Sequence, residues 1–367
     1  MNRFTQIDSL RGLLLILMTI DHLLLWPFNS WNTFYHYIYG PFGFFTAAEC
    51  FFFISGILAG NLVKNKPNYI QTSLKSRLLK LYLANIIGLS VLALSAFLFP
   101  QYFTQWGDGF LNDYLLTNPL KAIFFAAIFI YLPAFFNILP LYFYFFASIP
   151  LLSKSIKSIK NIIITILCSF LLWIVGQFAL QDRIQEYVRY FFPQADIGWF
   201  DIFSWQILFV LSFIAGYYQE HIKLILLSSN NIILFFISIF CIFCFLVKHE
   251  LIKLNINIFY LTDIKTLGPI RLLNFLCAAY IISLIFNKFS FFNINLLAKL
   301  GNNSLSIFTY HSCLVYYLGA FTKQIQSLNL VKKIIIFICA VLSLYLVLVI
   351  KKLAKISPVY IKKVIFS

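Results

Sequence analysis

Leu10–Phe28 reads LRGLLLILMTIDHLLLWPF, and its only ionisable residues are Arg11, Asp21 and His22. A helix on the surface of a soluble protein carries one apolar stripe and a charged opposite face. This stretch is apolar on all sides, and its 19 residues match the roughly 20 needed to cross a bilayer. No small-x-small cleavage site follows it, so it reads as a retained first span rather than a signal peptide.

The same composition continues along the chain. Of 367 residues, 61% are hydrophobic and 11% charged, with 44 phenylalanines, and the mean hydropathy is +0.88. A soluble domain has about 25% charged residues, so a soluble enzyme, a disordered chain and a nucleic-acid-binding domain are all excluded. Apolar runs fall at 10–28, 41–63, 78–100, 120–152, 161–180, 199–218, 231–247, 267–287, 304–320 and 332–350. With short loops between them, the expectation is an all-α polytopic membrane protein of about ten helices in a single integral-membrane domain, residues 1–367.

The run 120–152 leaves eleven spans open, because Pro133 and Pro140 break it. The net charge of +16 arbitrates through the preference of Lys and Arg for cytoplasmic loops. If only 137–152 spans, 18 basic residues lie inside and nine outside; two spans there change the split to 15 and 12. Ten spans with both termini cytoplasmic is therefore expected, with the basic tail after Ile350 against lipid. The Cys241-x-x-Cys244 pair has no second pair to complete a metal site, and no metal is expected.

Ionisable residues inside spans are costly and tend to mark a site. They are Asp21 and His22 in the first span, Glu49 in the second, Arg271 near the outer end of the eighth and His311 in the ninth. His22 and Glu49 sit about 9 and 12 Å from the outer ends of two sequential, antiparallel spans. That common level suits a base oriented by an acid. Arg11 and His22 are eleven residues apart, so they share a helix face about 16 Å apart along the axis, and Asp8 is one turn from Arg11. Glu49 has a second reading as a structural partner of Arg271. His311, between Tyr310 and Ser312, has a second reading as a helix–helix hydrogen bond.

These residues carry a resemblance. Arg11-x10-His22 and FFFISGIL (Phe51–Leu58) are similar to the first- and second-span motifs of the acyltransferase-3 group of membrane acyltransferases. More narrowly, IDSLRG with IDH (Ile7–Gly12, Ile20–His22) and FGFFTAAECFFFISG (Phe42–Gly56) resemble blocks of the OpgC family. So do ILPLYFYF (Ile138–Phe145), SWQILFVL (Ser204–Leu211), LGPIRLLNFLCAAY (Leu267–Tyr280) and LGNNSLSIFTYH (Leu300–His311). Cys50 departs from the pattern, where an apolar residue is usual.

The resemblance implies an inner-membrane O-acyltransferase that moves an acyl group, succinyl in the best-known case, from acyl-CoA to hydroxyls of a periplasmic glucan or other envelope glycan. No permanently bound cofactor is expected, since acyl-CoA is a donor substrate. The lipid bilayer and the glycan are the other expected partners, and the sequence is silent on oligomeric state. His22 is then the general base or acyl carrier, with Glu49 or Asp21 orienting it. Arg11, Lys75, Arg77 and Lys80 are the cations for coenzyme A. Arg271 is placed by depth for a succinyl carboxylate, with pairing to Glu49 in competition. Trp205 and Gln206 are candidates to receive a sugar ring. Ser55 beside Gly56 suits close packing or an oxyanion contact. A proton-coupled transporter or flippase with His22 and Glu49 as a relay, or a structural subunit, remains the alternative.

Overall fold

Alternation of apolar helices with short polar turns organises the chain in the computed structural model, which describes residues 2–66, 68–104, 114–227, 230–288 and 293–353. The basic tail positions Lys355, Lys362 and Lys363 lie outside the described residues. About 80% of the protein is helical, and among the described residues the extended structure is one isolated bridge, Tyr131 to Asp196.

Among the described residues, six helices are long and apolar enough to cross a membrane: Ala47–Asn65, Ile70–Leu98, Ile159–Gln177, Asn231–Lys248, Pro269–Phe286 and Leu330–Leu353. The number rises to eight if two bent pairs each count once: Thr5–Leu25 with Asn29–Ile38, bent by 103°, and Ile138–Ala147 with Ile149–Ser155, bent by 42°. The remaining two apolar runs form 16-residue helices, Ile202–Tyr217 and Ser304–Gly319. At 1.5 Å per residue each is about 24 Å long, short of a hydrocarbon core of about 30 Å. The fourth run divides around Pro133, whereas Pro140 lies inside the helix Ile138–Ala147. Pro119–Ala127 is a nine-residue helix, about 13 Å long, and cannot cross. Residues 128–137 leave the helix, and Leu132 N–H and Asp196 N–H are bonded to Asp196 and Ile130 carbonyls.

Ten helices position the functional residues. They are α1 (Asn2–Leu25), α2 (Ala47–Asn65), α3 (Lys75–Leu98), α4 (Ile138–Ala147), α5 (Ile159–Gln177), α6 (Ile202–Tyr217), α7 (Asn231–Lys248), α8 (Pro269–Lys288), α9 (Asn295–Asn302) and α10 (Ser304–Gly319). The chain packs as two compact units, residues 1–35 with 290–367, and residues 36–289.

In the first unit α1 is held by backbone-to-backbone approach. A Cβ on Gly12 would lie 2.0 Å from the Leu297 carbonyl oxygen, and one on Gly301 would lie 1.9 Å from that of Asp8. Only glycine permits such contact, and in lipid this close packing replaces the hydrophobic drive that water would supply. Ser9 Oγ donates to the Ile294 carbonyl at 3.1 Å. At the other end of α1, Trp26 lies across Gly319 and packs edge-on against Tyr316.

The second unit is built around α2 against α6. Cβ atoms on Gly56, Gly60 and Gly216 would fall 1.9–2.1 Å from Ser212 Oγ, the Phe213 carbonyl and the Ile57 carbonyl. Phe52 is fully buried beside Tyr142, Phe145 and Trp205. α5 joins α6 where Ser169 Oγ donates to Gln206 Oε1 at 2.7 Å. The chain then reaches outward again through Leu180–Phe191, which turns off α5 at Ala179 with φ 54°. Its Gln181 and Arg189 bond to backbone carbonyls of Gly198 and Ala195. Burial pushes the Asp196 carboxyl up from its ordinary range, against the Gly198 N–H, Arg189 and Lys265.

Candidate functional site

Seven residues on α10 and eleven on α1 span whole numbers of turns to within about 20°. That arithmetic puts Ser304 and His311 on one face of α10, as it puts Arg11 and His22 on one face of α1. The two faces meet. Arg11 pairs with Asp8 at 3.4 Å and donates to Ser304 Oγ. Further along both helices, His22 Nδ1 lies 3.0 Å from His311 Nε2, the rings meeting edge to edge with centroids 5.2 Å apart and planes 23° apart. His311 has no accessible surface, whereas His22 is half-buried. Phe308 packs edge-on against His311 from one turn earlier.

Glu49 takes the second of its expected readings, as the structural partner of Arg271. Within the second unit its Oε1 pairs with Arg271 Nε, and its Oε2 accepts from Thr46 N at 3.0 Å and Thr46 Oγ1 at 2.9 Å. The Thr46–Glu49 exchange is a capping box at the start of α2, which satisfies amide donors that the helix itself leaves open. Both oxygens of this fully buried carboxylate are therefore in use. Arg271, 3% exposed, also lies against Tyr39. One turn on, Asn274 Oδ1 accepts from Phe44 N at 2.9 Å and fills the space a side chain at Gly43 would need. Gly43 has φ 133°, a backbone conformation that favours glycine. Phe45 and Phe53 both pack edge-on against Phe275.

Trp205 was expected to offer a ring to a sugar, and Gln206 to bond one. Trp205 has no accessible surface, and its Nε1 donates to the Ile264 and Lys265 carbonyls at 3.0 Å. A stacking platform needs an exposed ring face, so Trp205 is a core residue here. Gln206 Nε2 donates to the Ser169 carbonyl at 2.7 Å, and its Oε1 accepts from Ser169 Oγ. Ser55 is buried on α2 beside Gly56. Among the expected donor cations, Arg77 lies over the Phe146 ring at 4.1 Å, while Lys75 and Lys80 are exposed. Asp21 adjoins His22 in the chain and points about 100° away on the helix.

Ser304 and Asn274 were missed by the sequence reading. The seven-residue spacing of Ser304 and His311 was available as a signal; nothing in the sequence pairs Asn274 with Phe44.

These features define a multi-pass helical membrane protein with a paired imidazole contact and an arginine along one helix face. The chain belongs to the OpgC family: the family model described as OpgC protein matches residues 3–356. Membership implies an acyltransferase-type enzyme with a role in glucan modification. No curated protein and no solved structure matches the chain.

Proposed function

We propose that this protein is an inner-membrane O-acyltransferase that moves an acyl group, succinyl in the first instance, from acyl-CoA to hydroxyls of a periplasmic glucan or related envelope glycan. The observation that carries this reading is the His22–His311 pair on the same helix faces as Arg11 and Ser304, in a chain of the OpgC family. A sugar hydroxyl is a poor nucleophile at neutral pH, and a histidine has the intrinsic basicity to take its proton during attack. Arg11 lies about 16 Å along the axis from His22, on the cytoplasmic side in this reading. There it meets a coenzyme A phosphate. The acyl carbon gains the sugar oxygen and loses the sulfur, and the thiolate leaves towards the cytoplasm.

A ten-span path with both termini inside accompanies the proposal, and helix directions within each unit support it. α1 and α10 run parallel, since Arg11, His22 and Trp26 meet Ser304, His311 and Gly319 in order. α2 and α6 run parallel through Gly56 at Ser212 and Gly60 at Phe213 and Tyr217. α3 and α4 run antiparallel, with Arg77 at Phe146 and Tyr82 at Phe143. α5 and α6 do too, with Ser169 at Gln206 and Gly176 at Ser204. Alternating threading of ten spans requires each of these directions. Eleven spans, with an extra crossing at 120–136, would make α2 and α6 antiparallel.

The test is mass spectrometry of periplasmic and envelope glycans from a host lacking its own enzyme, expressing the wild type or His22→Ala at matched membrane abundance. An added acyl mass that disappears in the variant is expected, and it names the acyl group. No added mass, with donor and glycan both present, would sink the proposal and favour a relay transporter.

A further inference from the structure

We infer that the cavity between the short helix Pro119–Ala127 and the turn at 191–195 holds one acyl chain of an anionic phospholipid, with the lipid phosphate at Lys121. The cavity measures about 420 Å³, within the range of about 300–1,000 Å³ found for small-molecule sites. Phe124, Phe125 and Ile130 line one wall, and Phe191, Phe192 and Ala195 line the other. All of these residues belong to the second unit.

The depth of the cavity follows from what the short helix touches. Tyr82 Oη donates to the Ala127 carbonyl at 3.2 Å, and Phe129 packs against Tyr82 and Phe143. Tyr82 lies twelve residues from one end of the span Ile70–Leu98 and sixteen from the other, about 18 and 24 Å. The short helix therefore runs from the exposed polar residues Thr117 and Asn118 into the bilayer. The facing helix, Leu180–Phe191, starts three residues after α5 ends, so it lies at the edge of the hydrocarbon. Gln181 and Gln185 fix one side of it to the backbone at Gly198, Ile202 and Ile197. Ile184, Tyr187 and Phe191 form an exposed apolar stripe on another side, the pattern of a helix lying in the membrane interface. On the short helix Leu120, Phe124 and Ile128 are exposed at intervals of four. Lipid is the medium that covers both stripes at this depth.

The lining selects the occupant. Backbone groups beside Ile130 are already bonded, Leu132 N–H to the Asp196 carbonyl and Asp196 N–H to that of Ile130. The walls thus present rings and alkyl groups. A sugar buried between them would leave hydroxyls unpaired, at a cost that a hydrocarbon chain does not incur. The two charged or amide side chains of the lining, Lys121 and Gln194, are both exposed. Lys121 lies six residues before Ala127, about 9 Å towards the polar end of the helix. No carboxylate among the described residues pairs with it. An ammonium at that level meets a lipid phosphate as a point charge, and it favours a headgroup of net negative charge.

Photolabelling tests this, independently of any acyl transfer. The full-length protein is held in phosphatidylcholine nanodiscs with a trace of phosphatidylglycerol that carries a diazirine on one acyl chain, and the cross-links are mapped by mass spectrometry. α7 supplies the baseline, because Phe235, Phe236 and Ile239 face outward along it. Labelling of 119–131 and 187–195 is expected to exceed that of α7 at least about fivefold. Lys121→Glu should abolish the excess and Lys121→Arg keep it, while Gln194→Trp, which sets an indole in the lining, should block it. Both positions are exposed, so the variants are compared at matched melting temperature. Labelling no greater than on α7, or an excess indifferent to Lys121→Glu and Gln194→Trp, would overturn the inference. Protection of the same peptides by a soluble glucan oligosaccharide would also overturn it, by assigning the cavity to a sugar.

Discussion

Among the pairs of ionisable side chains that the helices of this protein hold, two are built on opposite principles. In the second unit, Glu49 and Arg271 are both almost wholly buried, and each oxygen of the carboxylate is committed. In the first unit, His22 and His311 are joined by one hydrogen bond between rings that can be neutral, and one of them stays accessible. An intramembrane charge is commonly taken as the mark of a site. What distinguishes the pairs is charge: one joins a carboxylate to a guanidinium, the other joins two rings that can both be neutral. The carboxylate–guanidinium pair fixes the entry to α2, together with Thr46, Asn274 and the 39–46 turn. The imidazole pair is the one that the proposed function assigns to the reaction.

That contrast is broken most severely at Glu49. Glu49→Gln leaves the Arg271 guanidinium buried without its counter-charge, a loss of about 3–5 kcal/mol. Membrane abundance and thermal stability in detergent should both collapse, where His22→Ala should leave them intact. Equal abundance of the two variants would erase the distinction. Next comes Gly60→Leu, which drives a side chain into the Phe213 carbonyl. Overpacking of this kind costs about 1–3 kcal/mol, visible as a lower melting temperature with the imidazole pair's spectroscopic signature unchanged. Asn274→Leu removes the acceptor for Phe44 N–H and should cost about 1 kcal/mol. Faster amide exchange confined to the 40–46 turn would report it.

The smallest effect concerns pH. Burial, with Lys248 and His36 nearby, lowers the His249 pKa below its ordinary value. The unfolded chain therefore takes up a proton first as pH falls through about 6.5. Stability from a neutral His249 is present above that pH and declines below it, towards the lowered value. Melting temperature should drop between pH 7.5 and 5.5, and His249→Phe should flatten that slope. An unaltered slope would assign the acid sensitivity elsewhere.

Much of the fold was legible in the sequence because lipid imposes a single demand, an apolar helix, on every crossing segment. Each of the ten apolar runs contains helix, and the run 120–152 breaks around Pro133 as expected, while Pro140 is accommodated in the first turn of Ile138–Ala147. The lengths were less legible. Ile202–Tyr217 begins three residues into its run, where the Asp201 side chain caps the helix, and Ser304–Gly319 fills its run to within one residue yet is short for a span. At the site, the Arg11–His22 face followed from helix arithmetic, and the competing reading of Glu49 as a partner of Arg271 is the one the structure displays. Trp205 was misjudged because an indole reads the same in sequence whether its face meets a sugar or Phe52 and Phe200. The partner of His22 was beyond local patterns, since 289 residues separate it from His311.

The most direct measurement is single-turnover transfer from labelled succinyl-CoA to a glucan, per folded molecule, in nanodiscs. Wild type, His22→Ala and the doubly neutral Glu49→Gln/Arg271→Met protein would be compared. Expected is transfer by wild type, a loss of about 100-fold or more in His22→Ala, and substantial transfer by whatever fraction of the double variant folds. Full activity in His22→Ala, or a folded double variant as inactive as His22→Ala, would contradict the division between a reacting imidazole pair and a structural ion pair.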